Sequence, residues 1–141
     1  MTAYRIGIVW PSFLPARGIK KLKELAKSPR YEFYLLSGRY SFVNQDTLMW
    51  LKQYDLIGLF KKIYVNKDNE QPHEFKIKVV KSEKFDYFIE DNYDIVRDLN
   101  NHQIKTKILW IYNILDGRNA YPEKFPYLEK ALEKIANENR L

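Results

Sequence analysis

Apolar residues recur along the chain with two different periods, and the two periods alternate from one segment to the next. Short runs rich in β-branched and aromatic residues are typical of buried strands, and they cover residues 4–10, 31–36, 62–65, 85–89 and 106–112. After each run, apolar residues recur every three or four positions, which predicts helices over 19–27, 44–54, 72–83, 93–99 and 123–138. The pattern therefore predicts five strand–helix units.

Alternating strands and helices are the pattern of βαβ units, which build parallel sheets. Right-handed crossovers place the helices of such units on both faces of the sheet. We therefore expect one α/β domain over residues 1–141, with a doubly wound, mainly parallel five-stranded sheet and helices on both faces. About 20 residues separate the third predicted strand from the fourth, so a sizeable cap over the sheet is not expected.

The composition excludes several classes of protein. A chain of 141 residues that is 45% hydrophobic and 16% aromatic buries a core, which argues against disorder. The chain has no cysteine, so disulfides, thiol nucleophiles and zinc ribbons are excluded. The longest apolar run, residues 108–115, is interrupted by Asn113 and is far shorter than the roughly 20 residues of a membrane span. No secretory signal pattern opens the sequence, and a cytoplasmic location is the expectation.

The charge balance favours anionic partners. The formal net charge is +6, from 24 Lys and Arg residues against 18 Asp and Glu residues, which suits phosphorylated molecules or nucleic acid. The basic residues of the first predicted helix and its flanks are Arg17, Lys20, Lys21, Lys23, Lys27 and Arg30. The same cluster is better explained as the solvated face of a lysine-rich helix.

Candidate chemistry follows the predicted strands, because open α/β sheets bind ligands beyond the carboxyl ends of their strands. The segments at that edge are Trp10-Pro11-Ser12, Ser37-Gly38-Arg39 and Glu90-Asp91-Asn92. Lys76 is expected in the first turn of the helix before the fourth strand. A lysine and a hydroxyl suit a phosphate group, and two carboxylates suit Mg²⁺.

Two of these segments and Lys76 resemble motifs of the haloacid dehalogenase-like phosphohydrolases. Residues 34–39, YLLSGR, are similar to the second motif of that family, a strand that ends in Ser or Thr. Lys76 precedes Asp86 by ten residues, as the third-motif lysine does, and residues 85–92, FDYFIEDN, resemble the fourth motif. The resemblance covers residues 31–113. It implies the fold of that family, a phosphate site at Ser37, Gly38, Arg39 and Lys76, and Mg²⁺ held by Asp91 and Glu90.

The first motif of that family is missing. The family carries Asp-x-Asp after its first strand, where one Asp is the nucleophile and the other the general acid and base. The matching positions here hold Trp10 and Ser12, and no acidic residue occurs before Glu24. An indole does not replace a carboxylate nucleophile, and loss of a nucleophile has cost about a million-fold in turnover elsewhere. The expectation is a domain that has lost phosphohydrolase chemistry, holds Mg²⁺ only weakly, and binds a phosphorylated ligand or a protein partner.

Two other interpretations stay open from the sequence. An active, magnesium-dependent phosphatase or nucleotidase with a rearranged site needs a carboxylate from elsewhere, for which Asp46, Glu74 and Asp116 are the candidates. A basic nucleic-acid-binding module uses the net charge instead. The candidate residues also have simpler explanations, because Ser37 suits a turn and Glu90 with Asp91 suits the first turn of a helix.

Overall fold

The computed structural model describes residues 2–9, 18–40, 44–113 and 115–140, and it shows an α/β fold built on one parallel sheet. The elements in chain order are β1 Tyr4–Val9, α1 Ile19–Ala26, β2 Tyr31–Tyr40, α2 Asn44–Gln53, a 3₁₀ turn Ile57–Leu59, β3 Phe60–Asn66, α3 Pro72–Glu83, β4 Tyr87–Glu90, α4 Tyr93–Asn101, β5 Lys107–Ile111, β6 Lys124–Phe125 and α5 Leu128–Glu138. None of the helices in these ranges is long and apolar enough to cross a membrane.

The sheet has the doubly wound order predicted from the alternation of strands and helices. The strand order is β3-β2-β1-β4-β5-β6. The chain therefore adds β2 and β3 on one side of β1 and then crosses to add β4, β5 and β6 on the other side. The pairing between neighbouring strands is parallel throughout. The order therefore reverses between β1 and β4, which is where a sheet of this kind forms its crevice.

The expected number of strands was wrong by one. Over the described residues the sheet has six strands, because Lys124–Phe125 pairs with Trp110 and Ile111 of β5. The sequence pattern assigns residues 123–138 to a single helix, whereas α5 begins only at Leu128. Two residues are too few to show strand periodicity, so the short strand was taken for the start of the helix that follows it.

Helices cover both faces of the sheet, and each face forms its own core. Side chains that pack with α1, α2 and α5 include Ile8, Leu35 and Ile89. Side chains that pack with α3 and α4 include Leu36, Phe88 and Trp110. Consecutive strand residues thus alternate between the two clusters, as the period of two in a strand requires. Strands buried on both faces explain why the predicted strand segments are continuous apolar runs.

At the amino-terminal half of β5, the strand edge is covered by a side chain and not by another strand. β6 pairs only with Trp110 and Ile111, near the carboxyl end of β5. Further back, the hydroxyl of Tyr121 donates a hydrogen bond of 2.8 Å to the backbone oxygen of Ile108. Lys107, the first residue of β5, forms ion pairs with Glu138 at 2.7 Å and Glu123 at 3.8 Å.

Candidate functional site

β1 and β4 end level with one another, and β2 continues beyond that level to Tyr40. Ile8 of β1 is paired with Leu35 of β2 on one side and with Ile89 of β4 on the other. Ser37 and Asp91 therefore both lie two residues beyond this level and border the same edge of the sheet. Trp10 and Ser12, the positions that depart from the family motif, lie outside the described residues.

Lys76 reaches this edge from α3. The helix begins at Pro72, and the side chain of Gln71 caps it by accepting a hydrogen bond of 2.8 Å from the Glu74 amide. Lys76 therefore lies in the second turn, one turn later than expected. Its side chain is 14% exposed, and its ammonium nitrogen lies 3.6 Å from Oε2 of Glu90. The lysine thus joins α3 to the end of β4.

Gly38 provides the room that the lysine occupies. A Cβ atom built on Gly38 would lie 3.1 Å from Cε of Lys76 and 3.2 Å from the backbone oxygen of Pro72. Both contacts are too short for a comfortable fit, and the oxygen belongs to a backbone that cannot move aside easily. The absence of a side chain at Gly38 therefore lets β2 and α3 approach each other at the edge of the sheet.

Glu90 is the buried acid of the site. It ends β4, its side chain is 0% exposed, and its Oε2 accepts hydrogen bonds from the amides of Asp91 at 2.9 Å and Asn92 at 3.1 Å. Its other oxygen, Oε1, has no hydrogen-bond partner among the described residues. A buried carboxylate with one oxygen unsatisfied is costly, so this group is under electrostatic strain.

Complete burial raises the pKa of Glu90 to about 8. The attraction of Lys76 acts in the opposite direction, while the neighbouring Asp91 carboxylate raises the pKa further. The short backbone hydrogen bond from Asn92 favours the ionised form. Burial outweighs the ion pair because a contact of 3.6 Å is long and only one oxygen of Glu90 takes part in it.

Trp110 is a member of this site that the sequence analysis missed. It is paired with Glu90 across β4 and β5, and it is fully buried. Its indole Nε1 also lacks a hydrogen-bond partner among the described residues. Residues in register on neighbouring strands present their side chains to the same face, so a buried donor and a buried acceptor lie on one side of the sheet. No signal in the sequence gives this register.

The three predicted residues of the second motif are placed differently from one another. Residues 37–40 continue β2 instead of ending it, which corrects the predicted end at residue 36. Alternation along β2 assigns Ser37, which is fully buried, to the face of Leu35, whereas Gly38 contacts α3. Arg39 is exposed and forms no hydrogen bond or ion pair with another described residue. Of the three, Gly38 has a direct contact with Lys76.

Asn66 anchors the end of β2. Its Nδ2 donates to the backbone oxygens of Gly38 at 3.0 Å and Glu70 at 2.7 Å. Its Oδ1 accepts from the Glu70 amide at 2.9 Å. The side chain is fully buried, so it holds Gly38 and the loop before α3 in fixed positions.

The described residues do not fit a firmly held Mg²⁺ ion. No group of three or more His, Asp or Glu side chains in the described ranges could hold a metal. Glu90 and Asp91 are adjacent, but Oε2 of Glu90 is already occupied by two amides and an ammonium group. Asp116, one of the acids considered for a rearranged site, is hydrogen-bonded to Asn113 within its own loop. We therefore derive no chemical step through a metal.

Comparison with known proteins gives a likeness of fold. No family model and no curated protein matches the chain. The core domain of a "putative phosphoglycolate phosphatase" from Streptococcus pneumoniae TIGR4, solved by NMR, is similar over 99% of this chain and 98% of its own, with a TM-score of 0.56 and 14% identity. A chain of the Pnkp1/Rnl/Hen1 RNA repair complex is similar over 79% of this chain and 43% of its own, with a TM-score of 0.58 and 13% identity. The chain thus shares an α/β fold with these two structures, in agreement with the fold class that the sequence predicts.

Proposed function

We propose that the carboxyl edge of the sheet binds a phosphorylated ligand and does not hydrolyse it. The observation that carries this proposal is the position of Lys76, whose ammonium group is held between the ends of β2 and β4 with its stem packed on Gly38. A largely buried ammonium group at the reversal point of a doubly wound sheet is suited to an anionic ligand.

The protonation of Glu90 bears on whether an anion is accepted. Two ionised carboxylates beside one lysine would leave the edge with a net negative charge and would repel a phosphate. With its pKa raised by burial, Glu90 binds a proton near neutral pH, and the positive charge of Lys76 is then opposed by Asp91 alone. A protonated carboxyl also donates a hydrogen bond. Binding of a phosphate group is therefore expected to strengthen as the pH falls from 8 to 6.

The absence of hydrolysis is proposed from the sequence. Trp10 stands at the position that matches the nucleophile of the resembled family, and an indole ring does not attack phosphorus. Within the described residues, none of the acids considered as substitutes forms an ion pair with Lys76, which contacts Glu90. Asp46 and Glu74 are exposed in the first turns of α2 and α3, and Asp116 is bound within its loop.

A binding experiment tests this proposal with a matched pair of variants. A panel of phosphomonoesters is titrated into the ¹⁵N-labelled protein, and dissociation constants are read from amide shifts at residues 37–38 and 90–92. We expect Lys76→Met to weaken binding by at least about tenfold, or about 1.4 kcal/mol. The control is Lys78→Met on the same helix, because Lys78 is exposed and paired with Glu70. A change of less than about twofold is expected there.

A turnover assay separates this proposal from an active phosphatase. The same panel is incubated with Mg²⁺, and released phosphate is measured for the wild type, Asp91→Asn and Lys76→Met. We expect no release above the blank. Turnover in the wild type that either substitution abolishes would overturn the proposal and favour a rearranged phosphatase site.

A further inference from the structure

A hollow lies at the opposite end of the sheet from the site proposed above. It has a volume of about 510 Å³ and is lined by the end of α3, the start of β4 and the turn between α4 and β5. Ligand pockets for small molecules have volumes of about 300–1,000 Å³. The hollow therefore has the size of a small-molecule site, at the amino ends of the strands rather than at the carboxyl ends.

Backbone geometry and hydrogen bonds fix the walls of this hollow. α3 is followed by Lys84 with φ 54°, and the turn after α4 contains Gln103 with φ 54°. Both residues take the left-handed conformation, which turns the chain sharply after each helix. The hydroxyl of Thr106 donates to the backbone oxygen of Phe85 at 2.6 Å, and the Arg5 amide donates to the Asp86 carboxylate at 2.8 Å. The floor is thus attached to both β1 and β5.

Three lysines, Lys81, Lys84 and Lys105, and one acid, Asp86, line the hollow, which leaves an excess of positive charge there. The three lysines are exposed, and the side chain of none of them forms an ion pair or hydrogen bond with another residue of the described ranges. A lysine in the last turn of a helix is expected from the helix dipole alone, which accounts for Lys81. Lys105 comes from a different element, so the dipole does not account for the convergence of the three.

The basic residues next to this hollow on α3 and β1 are paired with acids, unlike the three lysines. Lys78, one turn before Lys81 on α3, contacts both carboxylate oxygens of Glu70 at 2.7 Å. Arg5, which lies beneath the same helix end, forms its ion pair with Glu83. A nucleic acid would need an extended basic track, whereas these three lysines converge on one concave hollow. A small polyanion fits this distribution better.

The other lining residues indicate that the ligand also has an apolar part. Ile104 is the partly exposed apolar residue of the wall, with Val80 and Phe85 buried behind it, and Gln103 adds an amide that both donates and accepts hydrogen bonds. We propose that this hollow binds a nucleoside diphosphate or a closely similar small molecule, with its phosphates among the three lysines and its ring against the apolar wall. The site is separate from the edge that contains Lys76.

Binding of ADP to the wild type and to two triple variants tests this proposal. In the first variant Lys81, Lys84 and Lys105 are replaced by Gln, and we expect the dissociation constant measured by calorimetry to rise by at least about tenfold. The control replaces Lys20, Lys27 and Lys52 by Gln, which removes the same charge from α1, α2 and their ends. A rise of less than about twofold is expected for the control.

Amide shifts locate the ligand and separate this site from the proposed phosphate site. ADP is expected to shift amides in residues 80–86 and 103–107, and Lys76→Met is expected to leave that binding unchanged. Pyrophosphate and adenosine alone are each expected to bind more weakly than ADP. Absence of ADP binding, equal losses in both triple variants, or loss of binding in Lys76→Met alone would overturn the proposal. Tighter binding of a ten-residue single-stranded oligonucleotide, lost in the first triple variant, would identify a nucleic-acid contact instead and would also overturn it.

Discussion

The protonation of Glu90 has a measurable consequence for stability. The pKa of Glu90 is raised to about 8 in the folded chain because the carboxyl is fully buried, against an ordinary value of 4.5. Between these two pH values the folded state holds a proton that the unfolded state has released. Stability therefore falls as the pH rises through this window, by about 1.4 kcal/mol for each pH unit.

Replacing Glu90 by Gln removes this dependence and keeps the shape of the side chain. Between pH 5.5 and pH 7.5, the free energy of unfolding of Glu90→Gln is expected to rise relative to the wild type by about 3 kcal/mol. Urea denaturation at several pH values measures this difference, and other titrating groups cancel because both proteins share them. The control is Glu24→Gln, at an exposed position on α1. Its free energy of unfolding relative to the wild type is expected to change by less than about 0.5 kcal/mol over the same pH range.

This reasoning would be refuted if the difference in free energy of unfolding between Glu90→Gln and the wild type did not change with pH. That result would mean that Glu90 is ionised throughout the range and that the ion pair with Lys76 at 3.6 Å outweighs the cost of burial. The proposed strengthening of phosphate binding at lower pH would then also lose its basis.

Three further substitutions test packing and local hydrogen bonding. Gly7→Ala places a Cβ 2.8 Å from the ring of Phe85, so a loss of about 1–3 kcal/mol is expected in urea denaturation, and an unchanged midpoint would contradict the tight packing. Asn66→Ala leaves buried backbone groups unsatisfied, so a loss of about 2–4 kcal/mol and faster hydrogen exchange at the Glu70 amide are expected; unaltered exchange would argue against the anchor. Asn92→Ala removes the side-chain cap of α4, so a loss of about 1 kcal/mol is expected by thermal unfolding, and an unchanged melting temperature would show that the cap contributes nothing.

The sequence predicts the sheet well where burial imposes a pattern. Strands covered on both faces must be apolar along their length, and helices packed on a sheet must be apolar along one face, so both periods are visible without coordinates. The doubly wound order follows from the alternation of these elements and the handedness of crossovers. Lys124–Phe125 could not be found in this way, because it belongs to the sheet through backbone pairing with β5.

The candidate site was predicted only in part, for a related reason. Lys76 and Glu90 were found from their spacing in the motifs, and the structure pairs them. Which of Ser37, Gly38 and Arg39 contacts Lys76 depends on the face that each residue occupies at the end of β2. A Ser-Gly pair in a sequence suggests a turn instead of a continued strand. The position of Trp110 beside Glu90 depends on the register between β4 and β5. These strands are separated by a helix, and local sequence does not encode their register.

The hydrogen bond from Tyr121 to Ile108 bears on how copies of this chain behave at high concentration. An open strand edge is a template on which a second molecule adds its own strand, and growth by such addition leads to aggregates. On β5 an incoming strand would first have to displace the Tyr121 hydroxyl from the backbone oxygen that it occupies. The Tyr121 hydroxyl is thus expected to disfavour strand addition at the amino-terminal half of β5, which the two residues of β6 do not cover.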